Sequence, residues 1–426
     1  MWVPKKSIFV NTFISKLFIQ PFMQIKQTYI RLAALLLCLL WPSATKADNF
    51  STILKKALSA FDQQNFEVAQ QEIETLLQQN GAQKSVAALY YKGIIYDQLM
   101  RKNITIDDLA QNYLTEAMKA YHQVLEIGKT YPQFYSFTQI NIKDLWAYYL
   151  NRGVQYYKVE AFEEALEQFT ISESIQGGEP IVVLYKAISA HQMENYELAL
   201  AFYQQYVAQQ SQQDNGVPPN VYRALAHLTA NYAAMPEAAY QIIVDALGMY
   251  PWDINLLEEK YQIVSQQNLL LVQKEKLSQS IIETPHNPIF YYQQAYFYQK
   301  EKDYSQAINA YEQAILLAPK QLEPTLQLGL LYCNQASETL QQTIEMDEEL
   351  YQSQGLSYLN TAHQLFTQSL TYLEKAHRMD RKNLFILHTL YRIYTRLQQL
   401  DQAKRIKQKM KLIKGGMQLL NAEAEG

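Results

Sequence analysis

Between Pro288 and Gln321 the apolar residues step along the chain at helical intervals. Ala295 and Tyr298 are 3 apart, and Ala307, Tyr311 and Ala314 follow at steps of 4 and 3 before Pro319. That spacing predicts two short amphipathic helices joined by a turn, the second ended by the proline. The same punctuation recurs: Pro251, Pro285 and Pro319 are 34 residues apart. A fixed period of this length means stacked helix-turn-helix units, in which each pair buries its apolar face only against its neighbours.

Extending the period along the chain places unit starts near Phe50, Val86, Trp146, Pro180, Asn220, Ile254, Pro288, Leu322 and Leu384, about nine units in all. The Trp146 unit carries Gly153, Tyr156, Ala165 and Phe169, and the Pro180 unit carries Ala187, Ala199 and Tyr203. The four starts from Asn220 to Leu322 are strictly 34 apart. Asn215-Gly216 and Pro218-Pro219 are turn signals, so a hinge is expected over 215–219, separating units in 50–214 from units in 220–415. The Ile254 unit is the weakest, with Tyr261, Gln273 and Ser280 where other units have small residues. A frayed tail is expected over 416–426, after Gly415-Gly416.

Two units are longer than the period allows. In the Val86 unit the stretch from Tyr96 to Ala117 holds 12 extra residues, and a further excess follows Pro132, as a lengthened helix would supply. In the Leu322 unit the stretch from Tyr332 to Ser369 holds 28 extra residues. Leu359, Ala362, Phe366, Ser369, Leu373 and Ala376 are spaced 3, 4, 3, 4 and 3, and Leu328, Tyr332, Ala336 and Leu340 step by 4. These seams predict a helical hairpin over about 333–361, each arm longer by about 14 residues, or ~21 Å. Its tip falls around Glu345 to Glu349, and an acidic loop without structure is the competing reading.

The motif itself, a small residue at position 8, an aromatic at 11, Ala at 20, an aromatic at 24, Ala at 27 and Pro at 32, resembles the tetratricopeptide repeat. Small residues let two helices approach, and the large ones fill the gaps between units. The resemblance covers nearly all of 50–415 and implies an all-α fold, a right-handed α-solenoid. The lengthened penultimate unit before Tyr372 to Ala376 is similar to exported repeat proteins of Bacteroidota. The family implies a concave binding groove lined by positions 2, 5, 9 and 12 of each first helix. Here those positions include Tyr157, His191, Asn231, Tyr292, Tyr296 and Gln299. Members that clamp a C-terminal carboxylate use Lys and Asn there, whereas this face is mostly apolar, as for a helix or extended segment laid into it. The competing reading is that these side chains pack within the array.

Composition adds a location and removes several chemistries. Residues 1–47 hold six basic and no acidic residues, with an apolar run from Leu32 to Trp41, Pro42, and the small residues Ala44 and Ala47. That order is expected of a signal peptide, cleaved after Ala47 or Ala44, and Met23 is a second candidate start. An organellar transit peptide is the alternative. The run is about half the ~20 residues of a membrane span, so no stable span is expected after cleavage. Beyond residue 47 the chain has 31 basic and 41 acidic residues, unlike a nucleic-acid binder. Cys333 is then the lone cysteine, either a packed residue or a reactive one, and no disulfide within the chain is available to it. The 33 tyrosines suit thin layers in which a ring packs and a hydroxyl reaches solvent.

None of the seven His lies in a His-Glu-x-x-His pair, and no Gly-rich phosphate loop or Gly-x-Ser-x-Gly elbow is present. No cofactor, metal or catalytic residue is therefore expected. The expected function is a non-catalytic protein-binding scaffold of the bacterial cell envelope, in the periplasm or at the outer membrane. A secreted effector that binds host proteins is the alternative.

Overall fold

The computed structural model describes residues 47–79, 85–104, 107–210 and 216–425, so the leader lies outside the described residues. They form two compact bodies, one within Leu17–Asp214 and the other within Asn215–Gly426. Both are all-helical among the described residues, and the helices pack as sequential pairs.

In the N-terminal body the pairs are α1 (Ala47–Asp62) with α2 (Phe66–Leu77), α3 (Val86–Lys102) with α4 (Asp107–Ile127), α5 (Pro132–Lys158) with α6 (Phe162–Ile175), and α7 (Pro180–Gln192) with α8 (Tyr196–Gln210). In the C-terminal body they are α9 (Pro219–Asn231) with α10 (Pro236–Met249), α11 (Ile254–Gln266) with α12 (Leu270–Glu283), and α13 (Pro288–Lys300) with α14 (Tyr304–Leu317). Then come α15 (Leu322–Ile344) with α16 (Leu356–Met379), and α17 (Leu384–Arg396) with α18 (Leu400–Glu425). Helices begin on Val86, Pro180, Ile254, Pro288, Leu322 and Leu384, where the period puts them. The excess before Trp146 is absorbed by α5, which starts at Pro132 and is 27 residues long. α18 continues through Gly415-Gly416 to Glu425.

The small residues mark where helices cross. A Cβ at Gly153 would overlap the Phe169 ring, and one at Gly93 would overlap the ring of Tyr121. Ala165, Ala199, Ala239 and Ala307 are each fully buried at the matching place on the second helix. Seven pairs share one turn. Gln64, Glu160, Glu194, Ala234, Asn268, Lys302 and Gln398 all adopt φ between 53° and 63°. In six of these turns the next N–H donates back to the helix just ended: Asn65 to Ala60, Ala161 to Tyr156, Asn195 to Ala190, Leu269 to Val264, Asp303 to Tyr298 and Gln399 to Tyr394, at 2.8–3.0 Å. These are left-handed C-caps that satisfy carbonyls at the helix end. No glycine occupies the left-handed position, so the turn leaves no glycine signal in the sequence. The residue after the turn often caps the second helix, as Asp303 does by accepting from the Gln306 N–H at 3.3 Å.

The expected hairpin is present, with its two arms lengthened unequally. α15 has 23 residues and α16 has 24, against 13 and 14 in the preceding pair. α15 therefore extends by about ten residues, or ~15 Å, and the returning arm by more, because helical backbone continues back from Leu356 through a π-helical stretch at Tyr351–Gly355 to Glu348. The tip is the short turn between Ile344 and Glu348, where Asp347 caps the returning arm by accepting from the Leu350 N–H at 2.8 Å. The seam residues Ala336, Ala362, Phe366, Leu373 and Ala376 are buried.

Candidate functional site

The first helices of successive units carry side chains that meet across units. In the C-terminal body this face begins on α9, where Asn231 donates to the His227 carbonyl at 2.9 Å. His227 Nδ1 lies 3.1 Å from Glu259 on α11. The neighbouring Glu258 accepts from the Tyr296 hydroxyl and pairs with Lys300 at 2.9 Å, both on α13. A chain of polar contacts thus crosses three units through the adjacent carboxylates of α11. Farther along, Leu326, Leu330 and Cys333 of α15 are half-buried, and α17 exposes Phe385, His388 and Arg392.

The sequence-predicted groove residues divide sharply by depth. Tyr292 is fully buried, its ring 5.3 Å from Trp252 and 6.1 Å from Tyr311, and burial pushes its phenol far above the ordinary range. It is a core residue. Tyr157 is also buried, against Phe162 at 5.2 Å. The reading that these side chains pack within the array therefore describes both: each ring faces its own unit's second helix or a neighbouring unit. Tyr296 is buried along its ring but delivers its hydroxyl to Glu258. Gln299 is half-buried and accepts from the Tyr311 hydroxyl at 2.7 Å, while Asn231 is exposed. His191 is half-buried, with Tyr196 and Tyr203 edge-on to its ring at 5.9 and 6.0 Å. Tyr157 and His191 belong to the N-terminal body, the other four to the C-terminal body.

Sequence reasoning missed Glu258, Glu259, His227 and Lys300. The first two lie in the Ile254 unit, whose lack of small residues hides its register. Once α11 is placed, the Glu258-Glu259 pair is the signal, since both carboxylates reach helices of neighbouring units.

In the N-terminal body the corresponding face is tied by Arg101. It donates to Asp97 at 2.6 Å and to Asp144 at 3.0 Å, with its guanidinium 4.4 Å from the Tyr148 ring centre. Asp97 is almost fully buried, so this pairing joins α3 to α5 and is structural. An open depression of about 520 Å³ lies elsewhere, on the second helices α4 and α6, lined in part by Leu114, Met118, His122 and Ile175.

Burial raises the Cys333 thiol above its ordinary value, against the lowering influence of Arg392 and Arg396. The thiol form therefore dominates at neutral pH, as in a packed cysteine. Among the described residues no group of three or more His, Cys, Asp or Glu is placed to hold a metal ion. Among those residues, too, no helix is long and apolar enough to cross a membrane.

Residues 54–102, covering α2, α3 and part of α1, match the family model described as Tetratricopeptide repeat. Several solved structures are similar. The C-terminal part of a repeat-containing protein from Cytophaga hutchinsonii is 12% identical, with 62% of this chain and 95% of that chain covered and a TM-score of 0.28. A repeat protein from Bacteroides fragilis is 12% identical over 59% of this chain and 98% of that chain, with a TM-score of 0.24. One from Thermus thermophilus is 17% identical over 44% and 98%, with a TM-score of 0.26. None of the curated proteins matches the chain.

Proposed function

We propose that this chain, which is a tetratricopeptide repeat protein, is a non-catalytic scaffold of the bacterial cell envelope that holds a protein partner on its first-helix face. Such repeats serve in general as protein-binding scaffolds, and stacked first helices offer an extended surface. The observation that carries the reading is the polar chain Asn231–His227–Glu259 and Glu258–Tyr296–Lys300, followed by half-buried Leu326 and Leu330. A surface of polar contacts beside an apolar strip matches a helix or extended segment from another protein. Gln299 and Asn231 rim this face, and His191 marks its counterpart in the N-terminal body. The buried Tyr292 and Tyr157 support it from beneath.

Export places the partner in the periplasm or at the outer membrane, and this rests on the leader's basic, apolar and small-residue order. Crosslinking followed by co-purification from native envelopes tests the scaffold. A protein partner should be enriched by the wild type. Asn231→Ala with Lys300→Ala should weaken capture at unchanged helicity and melting temperature. If no protein is enriched, the scaffold reading fails. Fractionation tests the location, since recovery from the medium would favour a secreted effector instead.

A further inference from the structure

The C-terminal body carries two exposed surfaces of opposite charge. The first is the hairpin. From Gln321 to Glu374 the chain has no Lys or Arg, and Glu345, Asp347, Glu348 and Glu349 gather at the tip. Beside these carboxylates the tip exposes apolar side chains that a solvated turn has no use for. Ile344 is 75% exposed and Leu356 is 72% exposed, with Leu350 and Tyr351 also open to solvent. The second surface is α18. Its apolar side, Ala403, Ile406 and Met410, is buried against the preceding helix. Its outer side is basic: Lys404, Lys407, Lys411 and Lys414 follow one another at steps of 4 and 3, with Arg405 and Lys409 between them. No acidic residue falls between Asp401 and Glu423, and none of these six cations pairs with a carboxylate among the described residues. Leu412, 76% exposed, sits among them.

We propose that the acidic, apolar hairpin tip of one copy docks on the basic outer side of α18 of a second copy. The charges are complementary, and each surface supplies exposed aliphatic side chains that contact would remove from water. The tip stands ~15 Å beyond the helix lengths of the preceding pair, which frees it to reach another molecule. The contact is heterologous: a pair of copies leaves one tip and one basic face unused, so association continues to a ring or an open chain.

Sedimentation of the full chain over a concentration series tests this. The wild type should form species beyond the monomer at about 0.05 M salt and lose them toward about 0.5 M, as screening shortens the reach of the charges. Glu345→Lys with Glu348→Lys and Glu349→Lys should weaken association about tenfold or more, and so should Lys404→Glu with Lys407→Glu and Lys411→Glu. Mixing the two reversed proteins should restore association, because each protein's tip is then complementary to α18 of the other and not to its own kind, giving species in which the two alternate. Ile344→Ser with Leu356→Ser should weaken association at unchanged helicity, which keeps the test open if a charge-reversed protein does not fold. A chain that stays monomeric throughout overturns the proposal, as does association indifferent to these changes. Binding of the basic face to vesicles of phosphatidylglycerol by a monomeric chain would assign α18 to an anionic membrane and also overturn it.

Discussion

The Ile254 and Pro288 units are neighbours of equal length, and they solve the same packing problem differently. In the Pro288 unit Ala295, Ala307 and Ala314 are fully buried where α13 and α14 cross, and Tyr292 and Tyr311 fill the space around them. In the Ile254 unit Gln273 occupies the place of Ala307, and Tyr261 that of Ala295. α11 and α12 pack least extensively of the nine pairs. Its polar contacts run to the neighbouring units instead: Tyr240 of α10 donates to Gln273 at 2.9 Å, and the buried Lys260 donates to Gln293 of α13 at 3.1 Å. Period alone sets the length of a unit; the size of two or three residues sets how tightly it closes. The looser unit also supplies both carboxylates of the candidate site, so its polar character shows at the surface as well as at its contacts with the neighbouring units.

The largest expected difference between the two units comes from Tyr311→Ala. Tyr311 is fully buried and donates to Gln299. Its loss should cost about 3–5 kcal/mol, read as a fall in the denaturant midpoint and faster amide exchange in α13 and α14. Next is the exchange of residues between units. Ala307→Gln should cost about 2–3 kcal/mol by overfilling a crossing, while Gln273→Ala should stay within about 1 kcal/mol, because smaller bulk at the crossing offsets a lost hydrogen bond. Equal effects at the two positions would mean that the units do not differ in packing.

Lys260 makes the comparison dependent on pH. Burial, with a smaller contribution from the Lys276 charge, pulls its ammonium from 10.5 down to about 8, and the groups it touches are neutral: Gln293 and the Tyr240 ring at 6.0 Å. The folded pKa lies below the unfolded one, so the unfolded chain binds more protons between these values. Stability should therefore rise as pH increases from about 8 toward 10.5. Lys260→Met should remove that rise and stabilise the protein at pH 7 by on the order of 2 kcal/mol. A rise unchanged in the variant would assign it to another group. The smallest effect is expected of Tyr296→Phe. It removes the hydroxyl bond to Glu258 and should cost no more than about 1 kcal/mol in melting experiments, while weakening partner capture.

Much of the fold was legible because helix crossings constrain residue size. Gly153 must be small since Phe169 lies against it, and that requirement shows in the sequence as a period. The left-handed turns were not legible. Glu160, Lys302 and the residues equivalent to them are ordinary side chains held at positive φ by the two helices they join. The candidate site was half legible. Tyr292 and Tyr296 stand one helical turn apart, yet one is sealed in the core and the other reaches Glu258. Position numbers alone place both in the groove. A small rotation of the helix, set by what packs beneath it, separates them. Glu258 and Glu259 escaped notice because the unit that carries them lacks the markers from which register is read.

The sequence by itself determined the number of units, most of the helix starts and the presence of the hairpin. Each follows from local periodicity and from residues that are small or helix-breaking for steric reasons. Only the tertiary structure decided how far each arm of the hairpin extends, which tyrosines are core, and which carboxylates bridge units. Those depend on how neighbouring helices turn against one another, and helix rotation is settled by packing summed over many side chains.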